Sequence, residues 1–256
     1  MQSAIMTQTT QFNDWASTMG YSFSGSGKTA AMSNFVTNMK RVYAVNTNPN
    51  LGWWASANKF FHLNYSQFSS QYLMKPSQVS STASSSSSVT TMPTSTPASG
   101  TVNWITAGMV TPVRDQQQCG SCWAFAATDA IESMYLIQGG AGGATANNLN
   151  LSPQQLVSCC NSANGCPISS GCDGGSTDEA INYVARFNQT TANLYPYTAG
   201  AGTTGRCSSS ILGKTVSGQA VQLLGSASVI SPNFDQNALM QAVAIAPTVI
   251  YIDAGV

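Results

Sequence analysis

Two cysteines separated by a glycine and a serine, Cys119-Gly120-Ser121-Cys122, stand directly before the most regular helical pattern of the chain. A cysteine attacks as its thiolate, and a thiolate is favoured where unpaired amides and the positive end of a helix macrodipole meet it. The pattern predicts a helix that starts at Ser121 or Cys122 and stops at Gly139-Gly140, with Trp123, Ala126, Ala127, Ala130, Met134 and Ile137 as its buried stripe. Cys122 then sits at the N-terminus and is a candidate nucleophile. Two other uses of such a pair are set aside. A redox pair expects a short cytosolic βαβ context, and structural zinc expects a second pair at matching spacing. Cys159 and Cys160 are adjacent, and Cys166 and Cys172 are too far apart.

A thiol nucleophile needs a base within hydrogen-bond reach. The sequence holds one histidine, His62, and it lies upstream of Cys122. Asp129 and Glu132 read as the solvated face of the Cys122 helix, and Asp253 as a strand-end residue. Asn64, Asn150 and Asn188 each open an Asn-X-Ser/Thr sequon, a frequency close to chance in a chain so rich in Asn and Thr.

The elements that must position Cys122 follow from periodicity and breakers. Residues 12–46 carry Phe12, Trp15, Met32, Phe35, Met39 and Val42 at helical spacing, which predicts two helices broken by a loop over 24–27. The aromatic stretch 53–73 predicts a short strand and a helix. From Ser77 to Gly100 the chain is almost all Ser, Thr, Pro and Ala, too poor in apolar area to offset its ordering entropy, and reads as a linker. A helix is expected between Asp178 and Phe187, and short apolar runs such as 248–252 read as strands. Helices followed by strands make an α+β arrangement.

Composition narrows the function. The chain has 256 residues, with nine basic and nine acidic side chains, and charged residues make up 7% against about 25% in an average domain. No field exists to steer nucleic acid or an anionic membrane, and no apolar run is long enough to span a bilayer. The start lacks a basic n-region and an apolar h-region. Seven cysteines between positions 119 and 207 nevertheless fit an oxidising compartment.

The segment from Gln116 to Phe125, with Cys-Gly-Ser-Cys-Trp at its centre, matches the signature of papain and cathepsins at every position. The chain resembles the papain family over nearly its whole length. Val110 to Gln116 leads into the nucleophile as in that family, and Leu151 to Cys159 resembles the segment of the next structural cysteine. Gly171-Cys172-Asp173-Gly174-Gly175 resembles its Cys-Asn-Gly-Gly turn, Tyr195-Pro196-Tyr197 its Tyr-Pro-Tyr, and Pro247 to Asp253 its Pro-Val-Ser-Val strand. Gln117, Gln118 and Asp173 depart from the pattern. Phe35, Asn38, Val42 and Asn46, then Ser56, Asn58, Phe60 and His62, resemble the two motifs of the family's inhibitory prosegment, with Gly27 and Ala31 in place of its Glu and Arg.

The resemblance implies a papain-like α+β fold with a helical left domain and an incomplete β-rich right domain. It implies a prosegment over 1–76, the linker with a maturation site over 77–100, and the catalytic domain over 101–256. By position Cys122 is the nucleophile and Gln116 forms the oxyanion hole with the Cys122 amide. Gly174 and Gly175 hold substrate backbone as an added strand, while Ser176, Thr177 and Tyr251 line the pocket for the side chain two residues before the scissile bond. It pairs Cys119 with Cys172 and Cys159 with Cys207, leaving Cys160 with Cys166 and a free Cys122. The family's histidine and asparagine lie about 130 to 150 residues beyond the nucleophile. Here 134 residues follow Cys122 and none is histidine, so the chain reads as a peptidase truncated in its second domain, or a pseudoenzyme.

The expected function is a cysteine endopeptidase zymogen acting through a thioester. It would use no cofactor or metal and would act on protein or peptide substrates, with its own prosegment as inhibitor and no nucleic-acid or membrane partner. A lysosomal, vacuolar or secreted location is expected. The alternative is a non-catalytic papain-fold binding protein, which would have no need of a free thiol at a helix start.

Overall fold

The computed structural model describes residues 2–75, 100–208, 210, 220–221, 227, 235–252 and 254. The chain divides into two compact units, Met1–Ser70 and Gln71–Val256. Nearly all of the expected linker, and Asp253, lie outside the described residues.

The first unit is built on α1 (Gln2–Thr18) and α2 (Gly25–Asn46). Phe12, Trp15 and Ala16 of α1 meet Ala31 and Phe35 of α2 at helical spacing, and Phe61 closes this core. The break between the helices lies earlier than the expected loop. Gly20, at φ +74°, ends α1 in the left-handed region where glycine is at no disadvantage, whereas Gly25 and Gly27 enter the first turn of α2. No strand forms over 53–73. That backbone is strapped to α2 by side-chain amides: Asn38 donates to the carbonyls of Phe61 and Leu63, Asn34 to that of His62, and Asn46 exchanges two bonds with Ala55. An irregular segment bonded in this way has no use for a neighbouring strand. It leads into α3 (Tyr65–Tyr72).

The second unit centres on α4 (Cys122–Ile137), packed against α5 (Pro153–Cys159) and α6 (Thr177–Phe187). Ser152 caps α5 by accepting from the Gln155 amide, with Pro153 in the first turn. The buried face of α4 is rotated from the expected stripe. Trp123, Ala124, Ala127, Thr128, Ile131 and Leu136 are sealed, while Ala126, Ala130, Met134 and Ile137 are half-buried. Neighbours pack on several sides of α4, so a single stripe underestimates what it buries.

The sheet among the described residues is a two-stranded antiparallel pair, β1 (Gln189–Thr190) and β2 (Ala220–Val221), with Gln189 opposite Val221 and Thr190 opposite Ala220. After α7 (Gln236–Ile245), capped by the Asp235 carboxylate, residues 248–252 are not a strand. An apolar run makes a strand only where a neighbour completes its ladder, and none does so here among the described residues. Helices with so little sheet still make an α+β fold. No helix of the described residues is long and apolar enough to cross a membrane.

Candidate active site

Cys122 is the first residue of α4, exposed, and the one free cysteine. The other six form Cys119–Cys172, Cys159–Cys207 and Cys160–Cys166. Burial of the sulfur by its surroundings pushes the thiol up from its ordinary value, while the Trp123 and Cys122 amides pull it down. His62 belongs to the first unit, where its ring lies 4.6 Å from Tyr21, 5.5 Å from Phe23 and 6.0 Å from Trp15.

The loop before α4 is fixed from three directions. Gly120 donates to the Cys172 carbonyl at 3.0 Å beside the Cys119–Cys172 bridge. A Cβ at Gly120 would come within 2.5 Å of that carbonyl oxygen. The Gln116 amide donates to the Cys119 carbonyl at 2.8 Å and to the Tyr72 carbonyl at 3.0 Å. The Tyr197 hydroxyl donates to the Gln116 carbonyl at 2.7 Å and lies 2.9 Å from the Ser121 hydroxyl, so it positions both sides of the turn. In the sequence Tyr197 is marked only by its place in Tyr195-Pro196-Tyr197.

Gly174 and Gly175 follow Cys172 in a turn that passes the Trp123 ring of α4. Gly174 has φ +126°, and a Cβ on Gly175 would reach within 2.6 Å of the Trp123 ring. Only glycine fits either position. Ser176 is fully buried with its hydroxyl bound to Asp178. Tyr251 reaches α6 across 74 residues of sequence: its hydroxyl accepts from the Thr177 amide and donates to the Thr177 hydroxyl, each at 2.8 Å. Thr177 and Tyr251 therefore meet, while Ser176 turns inward.

A short piece of chain lies along these same groups. Besides the Tyr72 carbonyl on Gln116, the Lys75 amide donates to the Asp173 carbonyl at 2.9 Å, and the Lys75 ammonium pairs with the Asp173 carboxylate at 2.6 Å. The Leu73 carbonyl lies 3.0 Å from where a Gly120 Cβ would be.

Buried polar residues support the site from behind, and sequence type concealed them. Glu132, expected on a solvated face, is fully buried. It takes two bonds from Arg114, one from the Thr111 hydroxyl and one from the Leu151 amide. Burial pushes its carboxyl up, opposed by Arg114 and these donors. Asp129 stays exposed, paired with the same Arg114. Gln154 accepts from the Thr198 and Ala199 amides, and Glu179 accepts from Ile168 and Ser169 ahead of the Gly171–Gly175 turn. The single group of metal-ligating side chains among the described residues, Cys160, Cys166 and Glu179, is already committed: the sulfurs bond each other and the carboxylate holds that loop.

An α+β unit whose central helix opens on a free cysteine has the architecture of a thiol protease. Residues 98–256 match the family described as papain family cysteine protease, and the chain belongs to that family. It is 33% identical over 225 residues to thiol protease SEN102 of Hemerocallis sp., covering 86% of this chain and 57% of that one. It is 40% identical over 162 residues to vignain of Vigna mungo, covering 63% and 39%. Among solved structures, a recombinant stem bromelain precursor superposes with a TM-score of 0.69 at 22% identity, over 93% of this chain and 70% of that one, a likeness of fold. The chain spans about half the length of the curated relatives it matches.

Proposed function

We propose that these 256 residues are the nucleophile-bearing part of a cysteine endopeptidase zymogen, with residues 1–76 as its inhibitory prosegment. The observation that carries this reading is the arrangement around Cys122: a free thiol at a helix start, with the Gln116 amide already donating to a peptide carbonyl, that of Tyr72. In the reaction the Cys122 thiolate attacks a substrate carbonyl carbon, and the oxygen gathers the displaced electron pair between the Gln116 amide and the Cys122 N–H. The C–N bond then breaks, the amine leaves with the proton that an imidazole supplied from outside these 256 residues would have taken from the Cys122 thiol, and water hydrolyses the thioester. A preorganised oxyanion donor contributes roughly 3 to 4 kcal/mol to such a step.

Tyr72 to Lys75 rests on Gln116, Gly120 and Asp173, groups that a substrate would need, and so supports self-inhibition. Gly174 and Gly175 would receive substrate backbone, and Thr177 with Tyr251 would bound the adjacent side-chain pocket. Three disulfides suit a secreted, vacuolar or lysosomal route. The base is the missing part: His62 sits in an aromatic cluster of the first unit, and the sequence has no other histidine. The alternative of a papain-fold binding protein leaves the free thiol and its aligned glutamine unexplained.

The test joins the chain to a papain-family second half that supplies the histidine and asparagine. After removal of residues 1–76 this chimera should hydrolyse peptides, and Cys122→Ser should abolish turnover. Gln116→Ala should lower kcat about 100-fold or more. The 256 residues alone should hydrolyse nothing measurable. Robust thiol-dependent turnover by the unextended chain would overturn the reading, as would an inert but folded chimera.

A further inference from the structure

The three sequons, Asn64-Tyr65-Ser66, Asn150-Leu151-Ser152 and Asn188-Gln189-Thr190, are equivalent as sequence. The structure separates them. A chain with three disulfides folds in the kind of compartment where asparagine-linked oligosaccharide is added, so the separation has a chemical consequence.

Asn64 caps α3. Its side-chain oxygen accepts from the Gln67 amide at 2.9 Å, and the Gln67 side-chain oxygen accepts from the Asn64 amide at 3.0 Å, a reciprocal box that satisfies two helix-end donors. The same Gln67 oxygen accepts from Asn34 of α2 at 3.2 Å, tying the cap to the unit's core helix. All of this uses the oxygen and the backbone of Asn64. Its Nδ2, the atom a glycan occupies, makes no hydrogen bond among the described residues. Asn64, Tyr65 and Ser66 are all exposed.

The other two sequons are built into the second unit. The Asn150 side chain accepts from Arg114 beside the buried Glu132, and Leu151 is sealed and bridged to Thr191. The Ser152 hydroxyl is fully buried, donating to the Tyr195 carbonyl and accepting from the Gln155 amide. Asn188 is held at φ +60°, and both Gln189 and Thr190 are buried. Asn150 is itself exposed and Asn188 half-buried, but at both the residue that carries the sequon hydroxyl, Ser152 or Thr190, is closed over by the fold, whereas Ser66 is open.

We propose that Asn64 is the N-glycosylation site of this chain, and that Asn150 and Asn188 are left bare. Transfer forms a bond from Asn64 Nδ2 to the anomeric carbon of an oligosaccharide carried on a lipid diphosphate. The bond from that carbon to the diphosphate oxygen breaks with its electron pair on the leaving group, and Nδ2 gives up one proton to the transferring enzyme. The carbonyl oxygen keeps its bond to Gln67, so the modified side chain still caps α3. Under the zymogen reading the oligosaccharide leaves with residues 1–76, but its attachment does not depend on that reading.

The experiment expresses the whole chain behind a secretion signal in a eukaryotic host and maps peptides from cells and medium alike. Amidase removal of the glycan leaves Asp as a mark at each occupied asparagine. The expected result is a single oligosaccharide, marked at Asn64. Ser66→Ala should lose it completely while keeping the cap, whereas Asn150→Gln and Asn188→Gln should keep it. An unmodified Asn64 peptide, or occupancy of Asn150 or Asn188, would overturn the proposal. The wild-type map alone suffices should any variant fold poorly.

Discussion

The two units hold irregular backbone against a helix by opposite means. In the first, side-chain amides of Asn34, Asn38 and Asn46 on α2 bind the chain between Ala55 and Leu63, over a core of stacked aromatic rings, and there is no cysteine. In the second, three disulfides with sequence separations of 53, 48 and 6 residues are joined by sealed Gln and Glu side chains. An amide hydrogen bond nets about 0.5–1.5 kcal/mol, whereas a disulfide typically contributes about 2–4 kcal/mol. A unit of this small size buries a modest share of its surface. The first unit therefore rests on individually weaker ties, and the second on bridges that fix the backbone around the cysteine loop.

The largest effect that could break this contrast is reduction. Treating the chain with a dithiol should remove hydrogen-exchange protection from α4, α5 and α6 while leaving residues 12–63 as protected as before. Equal loss in both units would mean that the second does not owe its rigidity to the bridges. Next comes the buried carboxylate. Glu132→Ala leaves the Leu151 amide without its acceptor and the Arg114 guanidinium with Asp129, Asn150 and the Leu151 carbonyl alone, and should cost about 3–5 kcal/mol in denaturant unfolding of the second unit. A loss near that of an exposed pair, below about 1 kcal/mol, would show that Arg114 finds full compensation in the exposed Asp129.

A smaller effect sharpens the contrast from the other side. Burial among Trp15, Tyr21 and Phe23 pushes His62 below its ordinary value, against a weaker pull from the Lys59 backbone, and its Nδ1 is sealed without a partner. The charged and titratable neighbours are the Tyr21 hydroxyl, which itself donates to the Lys59 carbonyl, and Lys59, whose ammonium lies over Phe60. A folded state that prefers neutral imidazole binds fewer protons than the unfolded chain. Its stability is thus full above about pH 6.5 and falls as pH drops through the interval down to the folded value. Exchange protection in residues 12–63 should decline below pH 6.5, and His62→Phe should flatten that decline. A decline that persists in His62→Phe would assign it to other groups.

What the sequence made legible depends on how far each cause reaches along the chain. Cys122 at a helix start followed from local signals, an apolar pattern and a glycine pair, and α4 ends beside Gly139 as that pair requires. Glu132 was misread because its partners, Thr111, Arg114 and Leu151, lie 18 to 21 residues away and carry no periodic mark. Gln154 looks like surface by type, yet it is sealed because two backbone amides need an acceptor. Residues 248–252 resemble a strand in sequence because a short apolar run records which side chains are apolar, not whether a neighbouring strand is present.

The smallest effect lies in the cysteine loop itself, at Gln117. Its φ of +55° puts a long side chain in the left-handed region, which costs a non-glycine residue about 1–2 kcal/mol. The loop accepts this because the Gln117 amide donates to the Asp115 carboxylate at 2.9 Å and the Gln118 amide to the Gly200 carbonyl at 2.9 Å. The Gln117 side chain lies close enough to Gly200 that a Cβ there would come within 2.2 Å of its oxygen. Truncation therefore has two opposing parts. Gln117→Ala loses that contact and keeps the strain, so it should be destabilising. Gln117→Gly loses the same contact but removes the strain, at the cost of a more flexible unfolded chain worth about 0.4–1 kcal/mol. Glycine should accordingly exceed alanine by up to about 1.5 kcal/mol at this position, the reverse of their usual order, read from denaturant midpoints at constant slope. Alanine equal to glycine or better would show that the loop relaxes freely around residue 117, and the picture of a cysteine turn held in one shape would fail where it is most local.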